Sequence, residues 1–238
     1  MPKYKRILLK ISGEALKGKG DIYDKEYLES VYKIVSQIAS AGTEVCLVVG
    51  GGNIWRGREA ESLGIEKTTG DYRGRLATIR NAMCLQSFFE NRGLVTRVMS
   101  SIPVAQCCEP YIRRRALRHL EKGRVVIFAG GIGSPFFTTD TCAALRAKER
   151  NCDGIFRGKN GVEGVYDDDP RTNKNAKLIK KISYAQLLSE NLKVRDNTAV
   201  GLLLDSSVDV RVFNRNDPEN AVRVLDGEDI GTIVTNRK

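Results

Sequence analysis

The stretch Val45-Cys46-Leu47-Val48-Val49-Gly50-Gly51-Gly52-Asn53-Ile54-Trp55-Arg56-Gly57 decides how the chain folds. Five apolar residues in a row mark a strand buried on both faces, since a half-exposed strand alternates with polar residues. The glycines that follow end the strand and let backbone N–H groups approach an anion closely. Arg56 then supplies a forked donor suited to phosphate oxygens. A plain flexible turn rarely carries Trp55 and Arg56 between glycines, so this junction reads as a ligand loop.

Working outward, Ile7-Leu8-Leu9-Lys10-Ile11 is the preceding strand, running to about Ser12. Between the two, Tyr27, Leu28, Val31, Ile34, Val35 and Ile38 fall on one helical face, and Ala41-Gly42 stops that helix. Further strands are expected over 94–99, 124–128, 154–156, 208–213 and 231–234. Helices are expected between them, over 71–91, 109–122, 139–151, 183–190, 196–206 and 218–225. Ser183 with Gln186 makes a capping box. This alternation predicts an α/β protein with a mostly parallel sheet covered on both faces. The sequence holds no internal repeat, and any division into lobes would fall near 133–139.

Composition narrows the function classes. With 238 residues, 41% of them hydrophobic, the chain can fill a real core, and its net charge of +10 points to anionic partners. Nucleic acid, phosphorylated metabolites and acidic membrane surfaces all satisfy charge alone. No apolar run approaches the roughly 20 residues of a spanning helix. The N-terminal strand is also too short for a signal-peptide core, so the expected location is the cytoplasm. Six cysteines without a C-x-x-C, and His119 as the single histidine, leave a zinc site almost no ligands. They read as reduced thiols. The absence of G-x-x-x-x-G-K-[ST] disfavours a P-loop enzyme. The protein-kinase motifs are missing too, and one histidine argues against Ser-His-Asp catalysis.

Ligands of parallel sheets bind beyond the carboxyl ends of the strands. Two junctions besides Gly50–Gly57 are candidates there. In Lys10-Ile11-Ser12-Gly13-Glu14 a lysine at a strand end could hold its ammonium over transferring phosphates, although alone it is simply a solvated lysine. In Gly130-Gly131-Ile132-Gly133-Ser134-Pro135-Phe136-Phe137-Thr138-Thr139-Asp140 a glycine-rich turn leads into a helix N-terminus, an anion site. Capping by Thr139 or Asp140 accounts for one of these residues and leaves the glycines unexplained. Physical reasoning thus reaches phosphate handling by three glycine loops, without naming the acceptor.

Taken in order, several motifs are more specific. They are Lys10-Ile11-Ser12-Gly13-Glu14-Ala15-Leu16, Gly50 to Gly57, Gly70-Asp71 with Leu76-Ala77-Thr78, and Pro135 to Asp140. Gly161 to Pro170, Leu192-Lys193-Val194-Arg195-Asp196, Arg211-Val212-Phe213-Asn214 and Gly231-Thr232 follow. Together they resemble bacterial uridylate kinases, within the amino-acid-kinase family. The resemblance implies a three-layer α/β/α sandwich, with a UMP-binding lobe over about 1–135 and an ATP-binding lobe over about 136–238. It implies Mg²⁺-dependent transfer of the ATP γ-phosphoryl to UMP in pyrimidine nucleotide biosynthesis, by a homo-hexamer.

By position, Lys10 and Arg56 would hold the transferring phosphoryl, with Ser12, Gly13 and Gly52 around ATP. Asn160, Tyr166 and Asp169 would line the ATP nucleoside pocket, and Asp167 and Asp168 would be a solvated turn. Gly51, Asp71, Ile132, Gly133, Ser134, Pro135, Phe136, Phe137, Thr138 and Thr139 would hold UMP. Asp140, with Asp196 beside it, would orient Lys10 or the waters of the metal, and no protein side chain is expected as a direct metal ligand.

Members commonly carry Thr and Asn where this chain has Ile132 and Ser134, which removes polar groups from the nucleotide loop. The resemblance raises UTP inhibition and GTP activation as regulation that the sequence does not decide: Lys17 to Asp24 departs from the glycine-rich pattern tied to GTP, and Arg195 stands where an apolar residue is usual. Kinases of aspartate, glutamate, acetylglutamate or carbamate are the alternative within the fold. A nucleic-acid-binding regulator is the alternative from another class, motivated by Arg113-Arg114-Arg115 and Arg118 but lacking interleaved aromatics for base stacking.

Overall fold

Successive residues of a strand point to opposite faces, and the first strand uses both. In the computed structural model, which describes residues 4–189 and 196–237, β1 (Arg6–Ile11) sends Ile7, Leu9 and Ile11 into one apolar layer and Leu8 into the other. The chain continues through α1 (Gly13–Lys17), α2 (Lys25–Ser40), β2 (Glu44–Val49), α3 (Gly57–Ser62), α4 (Lys67–Glu90), β3 (Thr96–Ser100) and β4 (Glu109–Pro110). Next come α5 (Arg113–Glu121), β5 (Val125–Ala129), α6 (Thr139–Glu149), β6 (Gly154–Lys159), β7 (Val165–Tyr166), β8 (Leu178–Ile179) and β9 (Lys181–Ile182). The last elements are α7 (Tyr184–Ser189), α8 (Asn197–Leu203), β10 (Asp209–Asn214), α9 (Asn220–Leu225) and β11 (Thr232–Val234).

Nine strands form one sheet in the order β4-β3-β5-β2-β1-β6-β10-β11-β9, parallel throughout except between β10 and β11. β7 and β8 pair separately as an antiparallel ladder. Helices α2, α4 and α9 cover one face, while α5, α6, α7 and α8 cover the other. This is the expected α/β/α sandwich. β2 and β5 repeat the alternation of β1: Val45, Leu47, Val49, Val125 and Ile127 face the first layer, and Cys46, Val48, Val126 and Phe128 the second.

Local chemistry explains the helices that position the site. Asp24 caps α2 by accepting from the Tyr27 amide at 3.0 Å, and Leu28, Val31, Val35 and Ile38 are buried on the expected face. Thr138 caps α6 and Asp196 caps α8. Ser183 and Gln186 form the expected capping box, each side chain bonding the other's backbone amide at 3.1–3.2 Å.

Several boundaries differ from expectation for identifiable reasons. The helix expected over 71–91 starts at Lys67, so Gly70 and Asp71 lie inside it. Gly70 is spent on close packing, since a Cβ there would sit 2.6 Å from Ala60. The helix expected from 109 begins at Arg113, because Glu109–Pro110 pairs with β3 at the sheet edge, where a proline is tolerated. β6 extends past its apolar run to Lys159, held by its ladder with β10. Gly231, with φ +68° beneath the Val212 carbonyl, forms the turn that delays β11 to Thr232. Glu190 and the Leu192 to Arg195 part of the quoted motif lie outside the described residues. Among those described, no helix is long and apolar enough to cross a membrane.

Phe156 ties the centre together, packing edge-on against Tyr4 (5.3 Å between ring centroids) and Phe213 (6.2 Å). Phe156→Ala should cost about 3–5 kcal/mol, read as a lower midpoint of urea unfolding at unchanged slope. A loss below about 1 kcal/mol would mean that this aromatic stack is not central to the core.

Candidate active site

The parity of β1 puts Lys10 on the face of Leu8, towards α6. Parallel pairing with β6 then sets Lys10 directly beside Arg157. Asp140, in the first turn of α6, bridges the two cations. Its Oδ1 lies 3.1 Å from Lys10 Nζ and its Oδ2 lies 3.1 Å from Arg157 Nη2. These side chains border a cleft of about 950 Å³ that Ser12, Asn160, Tyr166 and Asp169 also line. Tyr166 reaches it from β7, and Asp169 turns the chain by accepting from the Arg171 amide at 3.1 Å. Asp167 and Asp168 bond within the same exposed turn, as expected.

Capping by Thr139 or Asp140 is corrected here: the cap is Thr138, whose hydroxyl accepts from the amides of Asp140 (3.0 Å) and Thr141 (3.2 Å). Thr138 has the extended backbone a cap needs, whereas Thr139 and Asp140 are already helical. The Asp140 carboxylate is therefore left to its two cations. The Thr138 hydroxyl also donates to Asp196, as does Thr141 Oγ1 at 2.5 Å. Asp196 in turn caps α8 through the Ala199 amide at 3.0 Å, so one buried carboxylate ties two helix starts together. Burial opposes its charge, but the hydroxyls of Thr138 and Thr141 and the amides of Ala199 and Thr198 outweigh it. The carboxyl is held below its ordinary range.

The loop after β2 lies against the start of α1. A Cβ on Gly13 would come within 2.5 Å of the Gly50 carbonyl and 2.6 Å of the Gly52 amide, so only glycine permits this approach. Gly51 packs as closely on α4, where a Cβ would meet Gly74 O and Ala77 at 2.8 Å. Asn81 donates to Gly50 O at 2.7 Å and exchanges hydrogen bonds with Asn53, which fixes the loop from below. Arg56 bonds Gly52 O at 3.3 Å, and its Nη2 lies 3.1 Å from Glu14.

On the far side of that loop, Gly130, Gly131 and Gly133 have positive φ and carry the turn after β5. Asp71 accepts from the Phe136 amide at 2.8 Å. One helical turn later, Arg75 donates to the carbonyls of Ser134 and Phe137. It is buried, and desolvation lowers its pKa. Phe136 holds a positive φ of 67°, a strained value for a side chain of its size, and is exposed with Phe137. Ile132 is half-buried against the second apolar layer, Ser134 is exposed, Pro135 sits between them and Phe136, and Thr139 opens α6.

The site residues thus form two neighbouring groups. Lys10, Ser12, Asp140, Asn160, Tyr166 and Asp169 share the cleft. Gly51, Asp71 and the loop after β5 gather at α4, with Gly13, Gly52 and Arg56 at the junction. Sequence reasoning gave no role to Arg157, Arg75, Glu14 or Thr141. Arg157 had a readable signal, a charge breaking the apolar run of a strand, and Arg75 had its i, i+4 spacing from Asp71. Of the basic helix, Arg113 bonds the Glu149 carbonyl at 2.7 Å and Arg115 lies 3.7 Å from Glu109. No group of three or more acidic, histidine or cysteine side chains able to hold a metal occurs among the described residues.

Comparison with known proteins adds the family. The amino acid kinase family matches residues 5–214. A uridylate kinase of Streptococcus thermophilus strain LMD-9 is 48% identical over 237 residues, covering 99% of this chain and 97% of its own. The crystal structure of a UMP kinase from Bacillus anthracis superposes with a TM-score of 0.95 at 40% identity, covering 99% of this chain and 97% of that one. One from Ureaplasma parvum gives 0.93 at 37%, covering 98% and 100%.

The depressed pKa of Asp196 makes a pH prediction. A carboxyl whose folded value lies below its unfolded value of about 3.9 contributes stability that is full above that pH and lost as pH falls through the folded value. Asp196→Ala should cost about 1–2 kcal/mol at pH 7, with the gap to wild type narrowing below about pH 3.9. Urea unfolding at both pH values checks this, and a gap constant down to pH 3 would contradict it.

Proposed function

We propose that this chain, which belongs to the amino acid kinase family, works as a uridylate kinase, transferring the γ-phosphoryl of ATP to UMP to give ADP and UDP. One observation carries the chemistry. The start of α1 abuts the glycine loop after β2, so the strand end bearing Lys10 and the loop bearing Arg56 meet at one junction. Full-length similarity to uridylate kinases supports UMP as the acceptor.

In this reading ATP lies in the cleft, its nucleoside against Asn160, Tyr166 and Asp169 and its phosphates over Ser12, Gly13, Gly52 and Lys10. UMP lies on the α4 side, its ribose on Asp71 and its phosphate near Gly51 and Thr139, with residues 132–138 forming the wall. The strand order supports such a division. Strands from the first 129 residues lie on one side of the sheet together with β1, and those from residue 154 onward lie on the other. This order supports reading an acceptor lobe over about 1–135 and a donor lobe over about 136–238.

Transfer between two phosphates needs no protein nucleophile. It needs the reacting oxygens in line and cations where charge spreads in the transition state. Lys10 and Arg56 supply those cations, and Asp140 holds the Lys10 ammonium in place. Arg56 bonds Glu14 and Gly52, contacts that an arriving phosphate can replace with stronger, forked ones. With no metal cluster among the described residues, Mg²⁺ would be held mainly by the nucleotide phosphates, with Asp140 beside its waters. When bound, the ion would shield negative charge between the phosphates. The same reading extends to a cytoplasmic enzyme and a homo-hexamer. Exposed Tyr72, Leu76 and Met83 along α4 are apolar surface that an assembly would cover.

ADP release should appear with ATP, Mg²⁺ and UMP and be absent with aspartate, glutamate, acetylglutamate or carbamate. A folded protein silent on UMP would reopen the acceptor. Arg56→Ala and Lys10→Ala should each lower kcat/KM by about 100-fold or more. Arg56→Ala should leave the unfolding midpoint unchanged, because that side chain is substantially exposed. Unaltered turnover in either folded variant would remove that residue from the mechanism.

A further inference from the structure

We infer that Arg157 is a further binding residue for the donor's polyphosphate, acting beside Lys10 across the shared Asp140. The inference rests on reading the cleft as the ATP site and goes beyond the cations assigned above.

Three observations support it. First, register: β1 and β6 pair Lys10 with Arg157, and parallel neighbours lie about 4.8 Å apart, within the span of one phosphate group. Second, charge: two cations share one carboxylate, each at 3.1 Å, so this three-residue cluster keeps a positive charge where it borders the cleft. The side chains of Lys10, Asp140 and Arg157 are 16%, 15% and 17% exposed, sheltered enough for that charge to be felt but open to a ligand. Third, unused capacity: one nitrogen of Arg157 meets Asp140, while its Nε and Nη1 have no protein partner among the described residues and are not sealed from solvent. A guanidinium in that state can bind phosphate oxygens without releasing Asp140.

The setting makes a purely structural role a poor account. On this face of the sheet Arg157 has Lys10 on one side, while Val212 on the other side and Ile155 two residues before it belong to one apolar layer. An apolar side chain would continue that layer without a desolvation cost. An arginine there, aimed at a cleft already holding Lys10, is explained by an anion with several negative oxygens. That ligand is a nucleoside di- or triphosphate in the donor position.

The alternative is a positioning role, in which Arg157 only holds Asp140 and, through it, Lys10. Direct binding separates the two when Arg157→Met is also combined with Lys10→Met: a loss of donor affinity that persists without Lys10 marks direct contact, and one that vanishes marks positioning. Full-length wild type, Arg157→Met and Arg157→Lys are titrated with ADP, a non-hydrolysable ATP analogue and UMP, with thermal unfolding to verify folding. Arg157→Met should weaken both donor nucleotides about 10- to 100-fold, the loss expected for charge-assisted hydrogen bonds, and leave UMP within about twofold. Arg157→Lys should recover part of the loss, since it keeps the charge without the fork. Donor affinity unchanged in folded Arg157→Met would overturn the inference, even with a lowered kcat. Wild type that binds UMP but no donor nucleotide would instead overturn the reading of the cleft.

Discussion

A carboxylate held between two cations on adjacent parallel strands is the interaction on which this site depends. Lys10 and Arg157 are brought side by side by backbone pairing, not by their own preference, and their charges repel. Asp140 makes the arrangement tenable. It is available for this because the task of capping α6 falls to Thr138. Thr138 in turn shares Asp196 with Thr141, so the starts of α6 and α8 are locked together behind the site.

The second constraint is steric. At the β1–α1 turn and the loop after β2, glycines let two backbone segments approach more closely than any side chain allows. That contact sets the spacing between the Lys10 side and the Arg56 side of the site. The loop after β5 is instead held by side chains: Thr78 on the Gly130 amide, Asp71 on the Phe136 amide and Arg75 on two carbonyls. Ile132, where the family resemblance leads one to expect threonine, is half-buried and packs against the second apolar layer. Most of the polar anchoring of this loop comes from α4, and Ser101 adds a hydrogen bond to the Gly131 carbonyl at 2.9 Å.

How much of this was legible in the sequence follows from how each feature is encoded. Val45–Val49 and Ile7–Ile11 were readable because strands buried on both faces leave continuous apolar runs. Helix α2 was readable from its 3.6-residue period. The five-residue α1, the six-residue α3 and the two-residue strands β7, β8 and β9 are too short to leave a period at all. The cap of α6 could not be chosen among Thr138, Thr139 and Asp140, because backbone dihedrals decide it and all three side chains can accept. Arg157 carries a signal, a charge at the end of an apolar strand, but its place beside Lys10 follows only from the register of β1 with β6. Lys10, by contrast, stood out only through the ordered motifs around it. The acceptor too came from resemblance, since spacing carries no information about the base or the ribose.

In the proposed reading, donor and acceptor phosphates meet at the β1–β2 junction, with the two nucleosides on opposite sides of it. A crystal structure with UMP and a non-hydrolysable ATP analogue tests this most directly. The account predicts the facing phosphates between Lys10 and Arg56, the analogue's nucleoside beside Tyr166 and Asp169, and the UMP ribose on Asp71. Phosphates meeting away from Lys10, or nucleosides on exchanged sides, would contradict it.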